Sequence, residues 1–399
     1  MTILLVSNIF PPKTGGSGRW FWEIYRRLPR EEFLIAAGED PRQKGFDATH
    51  DLRVLRLPLA MRAWGIRSLE GLRGYFRTVS RLSRVVRAHR VAMVHAARCL
   101  PEGVMALALR YLCGVPYACY IHGEDVNSAS TSRELTWLVR RVLHGADFLI
   151  PNSRNTAALL RDEWDMPAAR VRLLYPGVDT ERFRPAARDP AVRARLGWGD
   201  RRVVLTVGRL QKRKGQDQMI RALAQVRKAV PDVLYVIVGD GEEREPLRRL
   251  AAEEGLGRHV QFRGEVDDAD LVRCYQQCDL FVLSNREEAA RDIEGFGMVL
   301  LEAQACGRPV VAGASGGTAE TMRIPETGRI VCCDGPDALA ALVIELLSDP
   351  PLRNRMGAAG RQWVAGQFDW DVLSRQAAQL FRRPVRAAKS RKVPLLVQG

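Results

Sequence analysis

The sequence predicts an α/β protein built from two doubly wound domains that face a central cleft. Three observations carry that prediction. Short apolar strand segments alternate with helical segments; the alternation breaks at an irregular, proline-bounded stretch, Pro176–Pro185; and it then restarts over a second stretch of similar length. Strand–helix alternation gives a mostly parallel sheet with helices on both faces. A chain of 399 residues with 46% hydrophobic content can fill two such cores.

Taken in order, the first half places strands at 2–7, 33–37, 53–57, 91–95, 117–121, 147–151 and 171–175. Helices are expected at 18–28, 68–89, 101–112, 132–144 and 153–164. The second half places strands at 202–207, 233–238, 259–263, 279–283, 309–312 and 328–331. Its helices fall at 216–229, 242–254, 267–277, 298–306, 336–347 and 350–365, with a last one near 369–382. The domain boundaries expected are therefore 1–178, 179–368, and a closing helix with a basic tail at 369–399. Ligands of such folds collect outside the carboxyl ends of the strands, which here means the gap between the two units.

Composition narrows the function. No run of 18 apolar residues is present, and the N-terminus shows neither a basic leader nor a long apolar core. The eight cysteines lack C-x-x-C spacing and are expected to be reduced, in a cytoplasmic protein. The net charge of +15 is concentrated locally: ten arginines and one acid, Glu70, lie between Arg53 and Arg90. From Ser68 to Arg90, Leu69, Leu72, Phe76, Val79, Leu82, Val85 and Val86 recur at three- and four-residue spacing, with Arg73, Arg77, Arg81, Arg84 and Arg87 between them. Such a basic amphipathic helix either lies in an anionic membrane interface, giving a peripheral protein of the inner membrane face, or packs on the sheet with its arginines in water. Trp20, Phe21, Trp22 and Trp64 are candidate interfacial anchors or core aromatics. A nucleic-acid partner is not expected, because the arginine helix has no aromatic platforms and no recognisable motif.

Three glycine-containing elements carry the chemistry. Gly15-Gly16-Ser-Gly18 follows the first strand and leads into a helix, a place where backbone N–H groups meet a phosphate or an acceptor. The strand Val203–Val207 runs into Gly208-Arg209-Leu-Gln-Lys-Arg-Lys214, with four cations in six residues; Arg209 and Lys214 are the expected ligand contacts, Lys212 and Arg213 the expected solvent-facing ones. In Glu294-Gly-Phe-Gly-Met-Val-Leu-Leu-Glu302, two carboxylates flank a glycine-rich helix start suited to a phosphate. The carboxylates would repel that phosphate and are better suited to sugar or ribose hydroxyls, so the implied ligand is a nucleotide sugar. His122 ends an apolar strand beside Gly123, well placed at a cleft, with Glu124 and Asp125 as candidate acceptor contacts. Ser315-Gly-Gly-Thr-Ala-Glu320 is a turn that either closes on the sugar or packs Glu320 at a helix start. There is no G-x-G-x-x-G fingerprint, no Walker A turn and no paired metal-ligand spacing.

These three elements together resemble the retaining glycosyltransferases of family 4, which have the GT-B fold of two Rossmann-like domains; the resemblance covers nearly the whole chain. The wording Arg213-Lys-Gly-Gln-Asp217 and Glu294-Gly-Phe-Gly-Met-Val299 is most similar to mannosyltransferases acting on phosphatidylinositol or other lipid-linked acceptors. The resemblance implies transfer of a hexose, with GDP-mannose the favoured donor and UDP-sugars the alternative, to a lipid-linked or glycan hydroxyl. It implies a donor site of Gly15, Gly16, Arg209, Lys214, Val266, Glu294, Gly295, Phe296, Gly297, Met298 and Glu302, with backbone groups near Val266 holding the base. His122 would touch the transferred sugar and Arg19 the donor or the acceptor. It further implies front-face substitution, in which Arg209 and Lys214 neutralise the departing diphosphate, so that neither metal nor cofactor is expected. An epimerase or phosphorylase on the same fold is a weaker alternative, as is a basic nucleic-acid-binding protein.

Overall fold

The computed structural model describes residues 2–13, 15–127, 132–287 and 293–382, and within them the chain forms two parallel six-stranded sheets. β1 (Thr2–Ser7), β2 (Phe33–Gly38), β3 (Val54–Leu57), β4 (Val91–Ala96), β5 (Tyr117–Ile121) and β6 (Phe148–Pro151) lie in the order β3-β2-β1-β4-β5-β6. β7 (Arg202–Val207), β8 (Val233–Val238), β9 (Val260–Gly264), β10 (Leu280–Leu283), β11 (Val310–Gly313) and β12 (Gly328–Val331) lie in the order β12-β11-β10-β7-β8-β9. β2 and β8 are buried along their whole length, which explains their unbroken apolar sequences: helices cover both faces. Strand order reverses between β1 and β4 and between β7 and β10, so the loops after these four strands meet at the interdomain gap.

One sheet face of the first domain packs Val79, Leu109 and Val142, from helices Leu69–Ala88, Val104–Cys113 and Arg133–Gly145. The opposite face packs Trp20, Phe21 and Ile24 of helix Gly16–Tyr25. That second core is completed by Trp370, Leu373 and Phe381 of helix Trp370–Arg382, which returns from the far side of the second domain. The chain therefore crosses between domains twice, and the crossings are clasped together. Val178 N–H donates to Phe368 O (2.9 Å), Trp370 N–H donates to Val178 O (3.3 Å), and Thr180 Oγ1 donates to Asp369 Oδ2 (2.5 Å). The two crossings are thus paired at one locus.

The segment 171–175, expected as a seventh strand, is not one. Arg172 N–H donates to Leu149 O (2.8 Å) and Leu174 N–H to Pro151 O (3.2 Å), leaving a single bridge at Leu149 and Val171. The rung between needs an N–H at position 151, and proline has none. Trp20 and Phe21 are core residues and Trp22 packs on Phe46 and His50, whereas Trp64 is exposed. The basic tail beyond Arg382 lies outside the described residues.

Candidate active site

A cavity of about 370 Å³ opens between the domains. Its first wall comes from Gly15, Gly16 and Ser17 after β1, Arg98 after β4, His122 and Glu124 after β5, and Asn152 after β6. Its second wall comes from Arg209, Arg213 and Lys214 after β7, and from Glu294 to Val299 ahead of and into helix Met298–Ala305. The walls are close: a Cβ at Gly16 would lie 3.7 Å from Met298 Sδ.

Charge is concentrated on the second wall. Glu294 pairs with Lys214, and Arg213 Nη1 lies 3.0 Å from the same Oε2. Burial pushes the Glu294 carboxyl up, but the Lys214 and Arg213 charges and hydrogen bonds outweigh it and hold the group below the ordinary glutamate value. It is an ionised acceptor. Arg213 also reaches Glu124 on the first wall at 3.5 Å, an ion pair across the gap. Arg209 is exposed at the cavity and carries no ion pair among the described residues. The helix Met298–Ala305 starts at Gly297 without a side-chain cap, so its first turn brings unpaired N–H groups to the same wall. Cations and helix start together suit a diphosphate.

Glycine is required where the walls touch. A Cβ at Gly295 would stand 2.5 Å from the His122 carbonyl oxygen and 2.9 Å from Asn152 Nδ2. Gly316, left-handed at φ 56°, lies directly against the Glu294 carbonyl, a place no Cβ fits. His122 Nε2 lies 2.8 Å from Ala97 O. A carbonyl only accepts, so Nε2 carries a proton and donates it. Trp20 holds the ring edge-on at 5.6 Å.

Of the residues expected at the site, the structure brings Gly15, Gly16, His122, Glu124, Arg209, Lys214 and the whole Glu294–Met298 run to this one cavity. Four others stand elsewhere. Asp125 does not line the cavity: its two carboxylate oxygens accept from His122 N–H and Cys99 N–H, both at 3.0 Å, so it holds the His122 loop. Glu302 is buried four residues into its helix, with Tyr275 O–H donating to its Oε2 at 2.7 Å. Burial raises its pKa, and Arg19 and the Tyr275 hydroxyl only partly offset that. Arg19 sits beside it, over the Phe183 ring at 5.8 Å, rather than at the cavity. Val266 packs on the second domain's core.

Two cations were misplaced or missed by sequence reasoning. Arg213, expected in solvent, turns inward, because the 3₁₀ turn Lys212–Lys214 aims both Arg213 and Lys214 at Glu294. Arg98 was not singled out, although it directly follows an apolar strand, the signal that singled out His122. Beneath Arg98 the buried Glu102 accepts from Asn8 N–H at 2.9 Å, with its other oxygen 3.9 Å from Arg98 Nε.

Two doubly wound domains with a cationic, glycine-lined cleft at both topological switch points define a GT-B glycosyltransferase. Comparison with known proteins gives the family. The model of the glycosyl transferases group 1 matches residues 189–363 and that of glycosyltransferase family 4 matches 14–182. The chain belongs to glycosyltransferase family 4. The GDP-mannose-dependent alpha-(1-6)-phosphatidylinositol monomannoside mannosyltransferase of Mycobacterium tuberculosis (strain CDC 1551 / Oshkosh) is 36% identical over 392 residues, covering 95% of this chain and 98% of that relative. The GDP-mannose-dependent monoacylated alpha-(1-6)-phosphatidylinositol monomannoside mannosyltransferase of Corynebacterium glutamicum is 31% identical, covering 96% and 98%. Among solved structures, sucrose-phosphate synthase from Thermosynechococcus elongatus superposes with a TM-score of 0.78 at 25% identity, covering 96% of this chain and 98% of that one. Membership and the named relatives make the chain a hexosyltransferase.

Proposed function

We propose that the enzyme is a retaining mannosyltransferase that moves mannose from GDP-mannose to a phosphatidylinositol-type lipid, working at the anionic cytoplasmic face of a membrane without a metal ion. The observation that carries this is the Lys214–Glu294–Arg213 ion cluster facing Gly15 and Gly16 across the cleft. Fixed cations neutralise charge as it grows on the departing diphosphate, the work a divalent ion does elsewhere. Glu294, kept ionised, accepts from a sugar hydroxyl. The acceptor hydroxyl attacks from the side on which the diphosphate leaves, and a phosphate oxygen of the leaving group takes its proton. The named activities of the relatives support the donor and the lipid class.

The membrane part rests on helix Leu69–Ala88. It packs through Gly71, Tyr75, Thr78, Val79, Leu82 and Val86, which leaves Leu69, Leu72 and Phe76 at 70, 53 and 75% exposure on a second apolar stripe beside the arginines. Trp64 and Trp137 are also exposed, and Glu134 ties their elements together by accepting from Ile66 and Arg67 N–H groups at 2.6 and 2.7 Å. An exposed apolar stripe with arginine neighbours suits an anionic interface, each cation contributing about 1 kcal/mol near the surface. Among the described residues no helix is long and apolar enough to cross a membrane.

The test is a donor panel of GDP-mannose, UDP-glucose, UDP-N-acetylglucosamine and UDP-galactose with phosphatidylinositol vesicles, run with and without chelator, and with the product anomer assigned by NMR. GDP-mannose is expected to be preferred, chelator to have no effect, and the anomeric configuration to be kept. A UDP-sugar preference, an inverted product, or activity restored only by added magnesium would each overturn the corresponding part.

A further inference from the structure

A carboxylate of the second domain sits on a helix start of the first. Helix Arg154–Asp162 is capped by Ser153, whose hydroxyl accepts from Thr156 N–H at 3.0 Å. That leaves the N–H groups of Arg154 and Asn155 without an acceptor in their own domain. They donate instead to Glu320 Oε2 at 2.7 Å and Oε1 at 2.8 Å, and Tyr175 O–H donates to the same Oε2 at 2.8 Å. A carboxylate on the positive end of a helix, with three donors, makes a strong contact.

The loop that carries Glu320 is rigid, and it also holds the catalytic carboxylate. Thr318 Oγ1 donates to Gly313 O and Ser315 O, both at 2.9 Å, and Thr321 Oγ1 donates to Thr318 O at 2.7 Å. Gly317 N–H donates to Glu294 O at 3.0 Å, and Glu294 N–H donates to Ser315 Oγ at 3.4 Å. A Cβ at Gly317 would stand 2.5 Å from Gly295 O and 2.9 Å from Ser153 Cβ, so the loop is wedged between the site and the helix cap.

We propose that Glu320 is a positioning residue for sugar transfer: by capping the first domain's helix Arg154–Asp162 it locks the Ser315–Thr321 loop across the interdomain gap and so sets Glu294 opposite His122. The two chain crossings are clasped near Val178 and Asp369, and among residues 315–321 Glu320 is the one charged side chain. Donor binding, built mainly from second-domain groups, does not need the contact; the transfer step, which needs both walls in register, does. The inference rests on sugar transfer across the cleft and not on which sugar or acceptor is used.

The full-length enzyme is assayed with whichever donor the wild type prefers, so a wrong donor assignment shows in the wild type and leaves this test intact. Glu320→Ala is expected to lower kcat by about 10- to 100-fold, while affinity for the nucleoside diphosphate of that donor stays within about threefold and the thermal midpoint moves by only about 2 °C. A second pair of variants approaches from the other side. Arg154→Pro removes the N–H that Glu320 accepts but suits a first helical position, and Ser153 before it is already extended (φ −156°, ψ 163°). Arg154→Ala removes only the side chain. The proline variant is expected to lose kcat beyond the alanine variant. An unchanged kcat in Glu320→Ala, a loss of nucleoside diphosphate affinity matching the loss of kcat, or equal kcat in the two Arg154 variants would overturn the proposal.

Discussion

Replacing Lys214 with alanine separates the two duties of the cleft's cations. In the resting enzyme Lys214 and Arg213 share Glu294, and both cations and the carboxylate are about seven-eighths buried, at 13, 12 and 12% side-chain exposure. At the 3.0 Å separation of Arg213 and Glu294, an effective dielectric of about 20 gives a gross attraction of about 5 kcal/mol, most of which desolvation cancels. Arg213 remains after the substitution, so Glu294 is not stranded, and the stability loss is expected near 1–2 kcal/mol rather than the roughly 3–5 of a fully broken buried pair. Catalysis loses more: removing one preorganised charge aimed at a leaving group costs about 10²- to 10³-fold in kcat. The acid side of the stability curve reports the same contact. Glu294 has a depressed pKa, so its contribution is present above the ordinary glutamate value and disappears as pH falls through its folded value. Without Lys214 that depression shrinks, so the acid loss is smaller and is complete at higher pH. Turnover by mass spectrometry, GDP affinity by calorimetry and thermal midpoints between about pH 3 and 7 give all three quantities. Wild-type turnover in Lys214→Ala would refute the leaving-group role, and an unmoved acid limb would refute the shared ion cluster.

Three further outcomes are expected. Arg98→Gln should raise KM for an acceptor bearing a phosphodiester by about tenfold and leave donor hydrolysis unchanged, because Arg98 is the first wall's cation at the cavity; kinetics with a phosphate-free mannoside as control checks it. Glu302→Gln should raise the thermal midpoint near neutral pH: burial raises the Glu302 pKa, so its ionisation costs folding stability as pH rises above the unfolded value, and the gain should vanish at acid pH. Replacing Arg77, Arg81 and Arg84 with Gln, or Phe76 with Ser, should reduce sedimentation with anionic vesicles but leave the melting temperature in place, since all four side chains are exposed.

The parts of the fold legible in the sequence are those set by local burial. Strands such as Leu234–Val238, covered on both faces, are apolar without interruption and cannot be anything but central strands. The first turns of helices were less so: Gly16–Tyr25 starts before the expected position 18, because glycines at a ligand-facing helix start give no propensity signal. Segment 171–175 failed for a non-local reason, since its partner strand ends in Pro151 and the missing donor is visible only once the two are paired. The same division holds in the site. Glu294, Lys214 and Gly16 stand in wording that a linear reading can find. Arg213 cannot be told from Lys212 without the 3₁₀ turn that points one inward and the other out. Glu302 lies near Glu294 in sequence but is separated from the cavity, because it points toward Tyr275 in the buried interior. The interdomain partner of Glu320 is 165 residues away, and no periodicity connects them.

These features divide between the two domains. The exposed stripe of Leu69, Leu72 and Phe76 and the wall of Arg98 and His122 belong to one rigid sheet domain. On the proposed reading, a lipid acceptor seated at that wall would be held by the same body that carries the exposed stripe. The cation cluster, the Glu294 loop and Glu320 belong to the other body, joined through the paired crossings at Val178 and Asp369. The Arg213–Glu124 and Glu320–Arg154 contacts join these two bodies across the gap. Arg98, His122, Arg213 and Glu320 all sit in segments after strand ends, from one residue (His122) to seven (Glu320) beyond them, so the two walls meet through connections and not through either sheet.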